Sequence, residues 1–277
     1  ARVLSASAAT LDRLLGPTRA AVSGQRARRR AIPAVRRNVP VRTFADWEDP
    51  VPGDMEADLV SHGGESPAGS FVHTLTLTDV ASGWTECVAL VVRDGALVAA
   101  ALEQMRTNMP FPLRGFDTDN GSEFMNETVA AYCRVHGIPC TRSRPYHKND
   151  QAWVEQKNGS VVRRLVGYRR LEGLAAAEAL SQLYAASRLF VNFFQPSFTL
   201  ASKTRVGAKV RKTYHAPETP YAKLLASAAI TDEMKQRLRA VADQLDPLRL
   251  LEEIRAVQQH LVALAAGQTS HLAPRHE

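Results

Sequence analysis

The chain has few residues that would cross-link it or anchor it in a membrane. Only three of its 277 residues are cysteine, Cys87, Cys133 and Cys140, and no two of them form a CxxC pair. This spacing excludes a disulfide framework and a cysteine-based zinc site, and it predicts buried thiols in a reducing compartment. No apolar run approaches the roughly 18 residues of a membrane-spanning helix, and the first residues lack a signal-peptide pattern. We therefore expect a cytoplasmic protein with no membrane partner.

Some segments contain no basic residue and others contain no acidic residue, although the net charge is only +7. Residues 1–50 carry ten Arg against four acids, whereas residues 46–66 carry seven acids and no Lys or Arg. Basic residues dominate again in 141–170, eight against two, and in 188–215, six against none. Basic blocks on both sides of an acidic segment fit a protein that follows the phosphate backbone of DNA. Any one block alone is equally well explained as solvated surface.

Three carboxylates stand where a metal site would need them. Asp119 lies in DTDNGSEF, where a predicted strand ends at a polar glycine turn, and Glu155 lies in the helix-like segment NDQAWVEQKN after 35 intervening residues. Asp58 lies in the alternating run MEADLVSH, which predicts a strand. Mg²⁺ prefers such oxygen ligands. Two ions roughly 3.5 to 4 Å apart can stabilise both the attacking and the leaving oxygen of a phosphoryl transfer.

These motifs resemble those of the DDE transposases of bacterial insertion sequences, in the retroviral integrase superfamily. The resemblance covers about residues 50–195, and it rests on Asp58, on D-N-G-S-E-F around Asp119, and on Glu155 after R-P-Y-H-K-N-D-Q. It implies that the three acids are catalytic and bind two divalent cations, Mg²⁺ with Mn²⁺ as a substitute. It also implies cleavage of a DNA strand and transfer of the freed 3′ hydroxyl to target DNA. The zinc-binding amino-terminal module of retroviral integrases is not visible.

Two of these acids have acidic neighbours that compete for the role. Asp117 lies on the same side of its strand as Asp119, but Asp119 adjoins the turn and also aligns with the family's D-N-G. Asp54 and Glu56 precede Asp58, and Glu56 shares its face, but Asp58 lies deepest in the strand. Because like charges gathered at one site repel, we expect at least one of these carboxylates to have a raised pKa.

The predicted elements follow the order β-β-β-α-β-α-β-α. Strands are predicted at Met55–His62, Phe71–Asp79, Thr85–Val92, Leu113–Asp119 and Ile138–Arg144, and helices at Gly95–Asn108, Asn126–His136 and from Asn149 or Asp150. Asp79 is predicted to cap the turn that follows it. Together with the resemblance, this order predicts an α/β fold: a ribonuclease-H-like integrase core, with a five-stranded mixed sheet flanked by helices and a helical C-terminal extension.

Three regions are predicted along the chain. Residues 1–52 form a helix, Ser5–Leu15, and a basic Pro/Arg-rich extended linker; residues 53–195 form the catalytic core; residues 196–277 form a basic arm and a helical region. The first helix is either the remnant of a helix-turn-helix DNA-binding domain or an ordinary amphipathic helix. Because the chain opens with Ala rather than Met, we expect a fragment of a longer protein.

Helices are predicted after the catalytic acids as well. Leu174–Phe194 closes the core, Ser197–Tyr214 is a basic, β-prone arm, and two helices follow near Asp232–Gln244 and Pro247–Ala265. The last helix carries an apolar stripe that packs either on a partner subunit or within the chain. Its members are Leu248, Leu251, Ile254, Leu261 and Leu264.

The expected partners are double-stranded DNA, both element ends and target, and further copies of the chain on that DNA. Gly159, four residues after Glu155, marks close approach either of DNA or of another helix. Two alternative functions remain open: a metal-dependent endonuclease of the same fold, and a non-catalytic DNA-binding protein derived from a transposase. The side chains predicted to contact DNA, Lys157 first among them, are Asn120, Lys148, Lys157, Arg163, Arg164, Arg169, Arg170, Lys203, Arg205, Lys209, Arg211 and Lys212.

Overall fold

The computed structural model describes residues 34–145, 147–207 and 209–272. The chain divides into two units, 1–34 and 35–277, and the elements below belong to the second apart from Ala34. The predicted helix Ser5–Leu15 therefore lies outside the described residues.

A five-stranded mixed sheet forms the centre of the protein, in the order β3-β2-β1-β4-β5. Strand β1 runs antiparallel to β2, which runs antiparallel to β3, whereas β4 lies parallel to β1 on its other side and β5 lies parallel to β4. This topology and the helices on its faces confirm the predicted ribonuclease-H-like fold. The strands are β1 (Asp54–Ser61), β2 (His73–Asp79), β3 (Thr85–Leu90), β4 (Gly115–Thr118) and β5 (Cys140–Arg142).

Helices cover both faces of the sheet. Asp94 begins α2 by accepting hydrogen bonds from two backbone amides of its first turn, and Asn126 caps α3 in the same way. Beyond β5 a 3-10 turn leads into α4, which continues through a π-helical turn, Asn158–Arg163, into α5. The helices are α1 (Ala34–Asn38), α2 (Gly95–Asn108), α3 (Glu127–Val135), α4 (Ala152–Lys157), α5 (Arg164–Val166), α6 (Gly173–Phe194), α7 (Pro220–Ala226), α8 (Asp232–Ala242) and α9 (Pro247–Leu272).

The two faces of β1 and β2 differ in character because side chains alternate along a strand. Met55 and Leu75 on one face belong to an apolar core shared with α2 and α3. The opposite face carries Glu56 and Asp58, and α4 packs against it. A second apolar cluster lies between α6 and α9. The acidic face is therefore enclosed by helix while the apolar face supplies the core.

The described part of the predicted linker is docked on the core, which corrects its interpretation as an extended linker. It contains helix α1, and Val39 is buried in the apolar core. Val41 forms an isolated parallel bridge with Arg142, so the segment pairs with β5 at the side of the sheet. The amide of Arg42 donates to the Arg142 carbonyl at 2.9 Å, and the Arg142 amide donates to the Pro40 carbonyl at 3.0 Å. Burial and this pairing hold the segment in place despite its prolines.

The C-terminal region begins with a separate antiparallel hairpin, β6 (Leu200–Val206) and β7 (Lys209–Tyr214). Helix α9 packs on α6 through Leu250, Ile254 and Leu261, so its apolar stripe is covered from within the chain. Its face is shifted from the predicted one, since Leu250 is buried and Leu248 is exposed. Among the helices that the structure describes, none is long and apolar enough to span a membrane.

Candidate functional site

The three predicted acids come from three neighbouring elements on one face of the sheet. Ala57 of β1 lies opposite Thr118 of β4 in the parallel register, so the next residues along each strand, Asp58 and Asp119, lie beside each other. Glu155 enters from α4, which packs on this face. The charges of Asp119 and Glu155 both act on Asp58 and raise its pKa. The middle of one strand, the end of its neighbour and one helix thus place Asp119 and Glu155 close enough to act on Asp58 through charge.

The Asp58 carboxylate is oriented by two hydrogen bonds. Its Oδ1 accepts from the backbone amide of Leu59 at 2.7 Å, and its Oδ2 accepts from Nδ2 of Asn158 at 2.8 Å. Burial, followed by the charges of Asp119 and Glu155, raises the pKa of Asp58 from 3.8 to about 6. This confirms the expectation of a raised carboxylate pKa, although burial contributes more than like-charge repulsion.

Asp119 closes the glycine turn that follows β4. Its Oδ1 accepts from the amide of Gly121 at 2.7 Å. A Cβ at Gly121 would lie 2.8 Å from that same oxygen and 2.7 Å from the Glu123 carboxyl carbon, so the tight turn needs glycine here. Burial raises the pKa of Asp119, and the nearby charges of Arg93 and Arg36 oppose this rise. The turn therefore fixes the direction of the Asp119 carboxylate.

Glu155 differs from the other two acids because its side chain is exposed. In the described part of the chain, no three His, Cys, Asp or Glu side chains lie close enough to hold one metal ion together. Rotation of at least one side chain is therefore needed to bring all three acids onto one cation. The long, exposed Glu155 side chain has the most freedom to make that movement.

The competing acids Glu56 and Asp117 lie deeper on the same face. Both are fully buried. Glu56 Oε2 accepts from the amides of Trp153 at 3.0 Å and Val154 at 2.9 Å, and Asp117 Oδ1 accepts from Thr141 Oγ1 at 2.6 Å. Burial raises the pKa of Glu56 to about 8 and that of Asp117 to about 7. Because these two acids are enclosed, Asp58 and Asp119 are the members of each pair that can reach a ligand.

Two further acids of this region have roles in turns and at the sheet edge. Asp79 accepts from the Gly53 amide at 2.8 Å and from the amide and hydroxyl of Ser82 at 2.7 and 2.6 Å, which confirms its predicted role as a turn cap. Asp54 begins β1, and burial raises its pKa. It pairs in register with Gly115, at the opposite end of β1 from the site.

An aromatic cluster beside the helix of Glu155 was not predicted. Phe44 stacks on Trp153 with ring centroids 4.8 Å apart, and Trp47 meets the same ring edge-on at 6.4 Å. The Phe44 amide also donates to Asp150 Oδ1 at 3.4 Å. The signal in the sequence was the presence of Phe44 and Trp47 in a segment otherwise typical of a linker, in a chain with only 6% aromatic residues.

Two residues predicted to contact DNA have partners inside the protein instead. The Asn120 side-chain oxygen accepts from Arg36 Nε at 2.9 Å and from Arg142 Nη1 at 3.2 Å, while its nitrogen donates to the Ser143 carbonyl at 2.9 Å. Lys157 is only 7% exposed, and burial together with the charge of Lys223 lowers its pKa to about 8. We therefore revise the prediction for both: Asn120 ties strand ends together, and Lys157 is enclosed.

Arg163 and Arg170 also hold loops. Arg163 donates to the carbonyls of Ser61 at 3.0 Å and Gly167 at 3.3 Å, and its guanidinium lies over the Tyr168 ring at 4.9 Å. Arg170 donates to three carbonyls of one loop, those of residues 63, 66 and 68, at 2.9, 2.9 and 2.6 Å. These guanidinium groups are committed to backbone carbonyls, so we remove both from the proposed DNA surface.

The other predicted contacts divide into exposed residues and residues whose side chains are not described. The exposed ones are Arg164, Arg169, Arg205, Arg211 and Lys212. The side chains of Lys148, Lys203 and Lys209 lie outside the described part of the structure.

Known proteins share the segment that carries Asp58 and Asp119. Residues 51–148 match the family described as the integrase core domain, so this segment is similar to an integrase core domain. The Pro-Pol polyprotein of feline foamy virus is 27% identical over 99 residues, which are 36% of this chain and 8% of that protein. A crystal structure of the catalytic core domain of BIV integrase is 16% identical, with a TM-score of 0.41, and the match covers 62% of this chain and 93% of that one.

A bacterial relative extends the similarity over most of the chain. The protein described as "Uncharacterized protein y4rM" of Sinorhizobium fredii strain NGR234 is 58% identical over 223 residues. The match covers 80% of this chain and 64% of y4rM, so the chain spans less than two thirds of that relative's length.

Proposed function

We propose that this chain contains the catalytic part of a DDE-type transposase, which cleaves a DNA strand and joins its 3′ hydroxyl to target DNA. The observation that supports this most directly is that β1, the end of β4 and α4 place Asp119 and Glu155 close enough to Asp58 for their charges to act on it, while Asp58 and Asp119 lie in the segment that matches the integrase core domain. An integrase-type enzyme acts on DNA, and the basic surface of this chain fits that substrate. We place its action in the bacterial cytoplasm, as an oligomer on DNA.

The donor set fits the divalent cations that the family implies. All three side chains offer carboxylate oxygens, the donors that Mg²⁺ prefers. Asp58 and Asp119 would hold the cations from rigid positions at the sheet edge, and Glu155 would complete the site from α4. Bound there, two divalent ions would supply charge stabilisation at the attacking and leaving oxygens.

The protein's own groups orient this site. Asn158 and the Leu59 amide fix both oxygens of Asp58, and the Gly121 amide fixes Asp119. No protein nucleophile is needed, because water opens the DNA strand and the freed 3′ hydroxyl then attacks the target. The contribution of the chain is therefore orientation of the carboxylates and binding of DNA.

The exposed basic residues supply a surface for the phosphate backbone. Arg205 on β6 and Arg211 and Lys212 on β7 are exposed on a hairpin that carries no acidic residue. Gly159, one helical turn beyond Glu155, is also exposed, and a Cβ there would meet nothing within 4 Å. The space beside this glycine is open in the described chain, so there is room there for DNA.

The test is nicking and strand transfer on labelled DNA carrying candidate element ends, with Mg²⁺ or Mn²⁺. The wild-type protein is compared with Glu155→Gln and with Glu178→Gln, which changes an exposed glutamate on α6. Metal-dependent joined products that disappear only in Glu155→Gln support the transposase. Nicks without joining favour the endonuclease, and salt-sensitive binding without cleavage by any variant favours a non-catalytic DNA-binding protein.

A further inference from the structure

Glu56 joins the strand of Asp58 to the helix of Glu155. It lies two residues before Asp58 on the same face of β1, and its Oε2 accepts from the amides of both Trp153 and Val154 in the first turn of α4. The residue at the N-cap of α4, Gln151, makes no side-chain capping bond. The first amides of a helix have no partner within it, and here a carboxylate from another element satisfies two of them.

A second attachment lies one turn further along the helix. Asn158, immediately after α4, donates to Asp58. Two residues along a strand span about 6.6 Å, and the four residues from Val154 to Asn158 rise about 6 Å along a helix. The two attachment points on β1 therefore match the two on the helix, and Glu155 lies between them.

Gln151 adds a third link at the same end of the helix. Its Nε2 donates to the Ala57 carbonyl at 3.3 Å, on the residue between Glu56 and Asp58. The carboxyl group of Glu56 is completely enclosed, so it is not available to a ligand from solvent.

We propose that Glu56 is a positioning residue: its carboxyl group attaches the first turn of α4 to β1 and so fixes Glu155 relative to Asp58. The proposal rests on the proposed function for its catalytic consequence, but the attachment itself is a property of the fold. An acceptor of the same length is sufficient for this role. Glu56→Gln keeps an oxygen for the two amides, and in the strand register it lies opposite Asp117, whose carboxyl group can accept from the new NH₂ group.

The first test measures hydrogen exchange of the Trp153 and Val154 amides in DNA-free protein. Glu56→Met, which keeps the length but removes the acceptor, is expected to speed their exchange about tenfold or more, while Glu56→Gln stays near wild type. The amides of Leu75 and Leu77 in β2 serve as the internal control for folding. Unchanged exchange in a folded Glu56→Met protein would overturn the proposal.

A shorter acid provides a second variant if Glu56→Met fails to fold. Glu56→Asp keeps the carboxyl group but withdraws its oxygens by one methylene, so it is expected to speed exchange at Trp153 and Val154 as well. Exchange as slow as in wild type would show that this reach is not required, and would overturn the proposal.

The second test measures DNA cleavage at saturating metal. Loss of the attachment is expected to lower kcat about 100-fold with little change in KM for DNA, and Glu56→Gln is expected to restore kcat. Equal loss in Glu56→Gln and Glu56→Met would show that the charge matters rather than the acceptor, which contradicts a positioning role. If the wild-type protein cleaves no DNA, the proposed function fails while the exchange measurement still decides the role of Glu56.

Discussion

At the residue scale, the acids on the face of the sheet that α4 covers form two tiers. Along each strand, the acid of the lower tier comes two residues before the acid of the upper tier. Glu56 and Asp117 in the lower tier lie opposite each other in register and are used in hydrogen bonds within the protein. In the upper tier, the charges of Asp119 and Glu155 act on Asp58. Buried carboxylates that repel one another cost stability, so this group of acids destabilises the folded protein when it is charged.

The raised pKa of Asp58 measures this cost in folding stability. Its folded pKa, about 6, lies above the ordinary value of 3.8, so its stabilising contribution is present below pH 3.8 and lost as pH rises through 6. In chelator-containing buffer, Asp58→Asn is expected to raise the thermal midpoint at about pH 7.5 by a few degrees. The new amide can donate to Asn158 Oδ1, a buried atom without a partner, if the Asn158 amide flips.

The pH dependence provides the control for this variant. Near pH 4.5 the wild-type Asp58 is largely protonated in the folded protein, so the difference in thermal midpoint between the two proteins should shrink. Glu178→Gln, at an exposed position, should show little difference at either pH. A variant less stable than wild type near pH 7.5 would contradict the interpretation of Asp58 as a strained charge.

Lys157 gives a second prediction. Its charge costs stability at low and neutral pH, whereas the charge of Asp58 costs stability at high pH. Burial lowers its pKa from 10.5 to about 8, so the charged form destabilises the folded protein at neutral pH, and the penalty fades as pH rises toward 10.5. Lys157→Met is expected to raise the thermal midpoint at pH 7 and to leave DNA affinity unchanged. A loss of affinity measured by fluorescence anisotropy would restore Lys157 to the DNA surface.

Residue patterns alone do not predict which acids belong to the lower tier and which to the upper tier. Asp117 and Asp119, like Glu56 and Asp58, differ by two positions and therefore share a face, so alternation cannot say which one is enclosed. The choice of Asp58 and Asp119 came from nearness to a turn, depth in the strand and family alignment. The enclosure of Glu56 depends on the contact with α4, nearly a hundred residues later in the chain, which no local pattern contains.

At the element scale, the segment before the core contributes to the helix of Glu155. Phe44 stacks on Trp153, which lies two residues before Glu155 and also donates its amide to Glu56. The start of α4 is thus attached to β1 through Glu56 and to this segment through Phe44. The segment is therefore packed on the core rather than a tether to it.

Phe44→Ala tests this contact. Loss of the stacked pair is expected to lower the free energy of unfolding by about 1 kcal/mol and to speed amide exchange at the start of α4. Denaturant unfolding and hydrogen exchange measure the two effects. Phe198→Ala, which changes an exposed phenylalanine near the hairpin, is the matched control and should leave α4 unchanged. Equal effects of both substitutions would contradict a specific role of Phe44.

Periodic elements were predicted well, and elements defined by distant contacts were not. Helix α2 begins and ends where predicted, because Asp94 caps it and its apolar residues have helical spacing. Helix α1 and the docking of Val39 were missed, since prolines and arginines there indicate a linker and only the edge of β5 provides the pairing. The short helix α7 was also missed, although Thr219 followed by Pro220 is a typical helix start.

At the scale of the whole molecule, the exposed basic residues lie on elements separate from the acidic site. Arg163 and Arg170 support loops, whereas Arg205, Arg211 and Lys212 on the hairpin are exposed. A two-stranded ribbon can enter the major groove of DNA, and residues that neutralise phosphates release counterions. The affinity of this surface for DNA should therefore depend steeply on salt.

The double variant Arg211→Ala/Lys212→Ala tests the hairpin as a DNA-binding surface. Each phosphate contact contributes about −0.9 to the slope of log K against log salt concentration, so the loss of two should make the slope shallower by about 1.8. Fluorescence anisotropy between 50 and 200 mM salt, roughly the range over which this effect is large, measures it. The control is Arg237→Ala/Arg239→Ala, which removes two exposed arginines from α8 and should not alter the slope. An unchanged slope in the hairpin variant would remove the hairpin from the interface and leave Arg164 and Arg169 as the other predicted DNA contacts with exposed side chains.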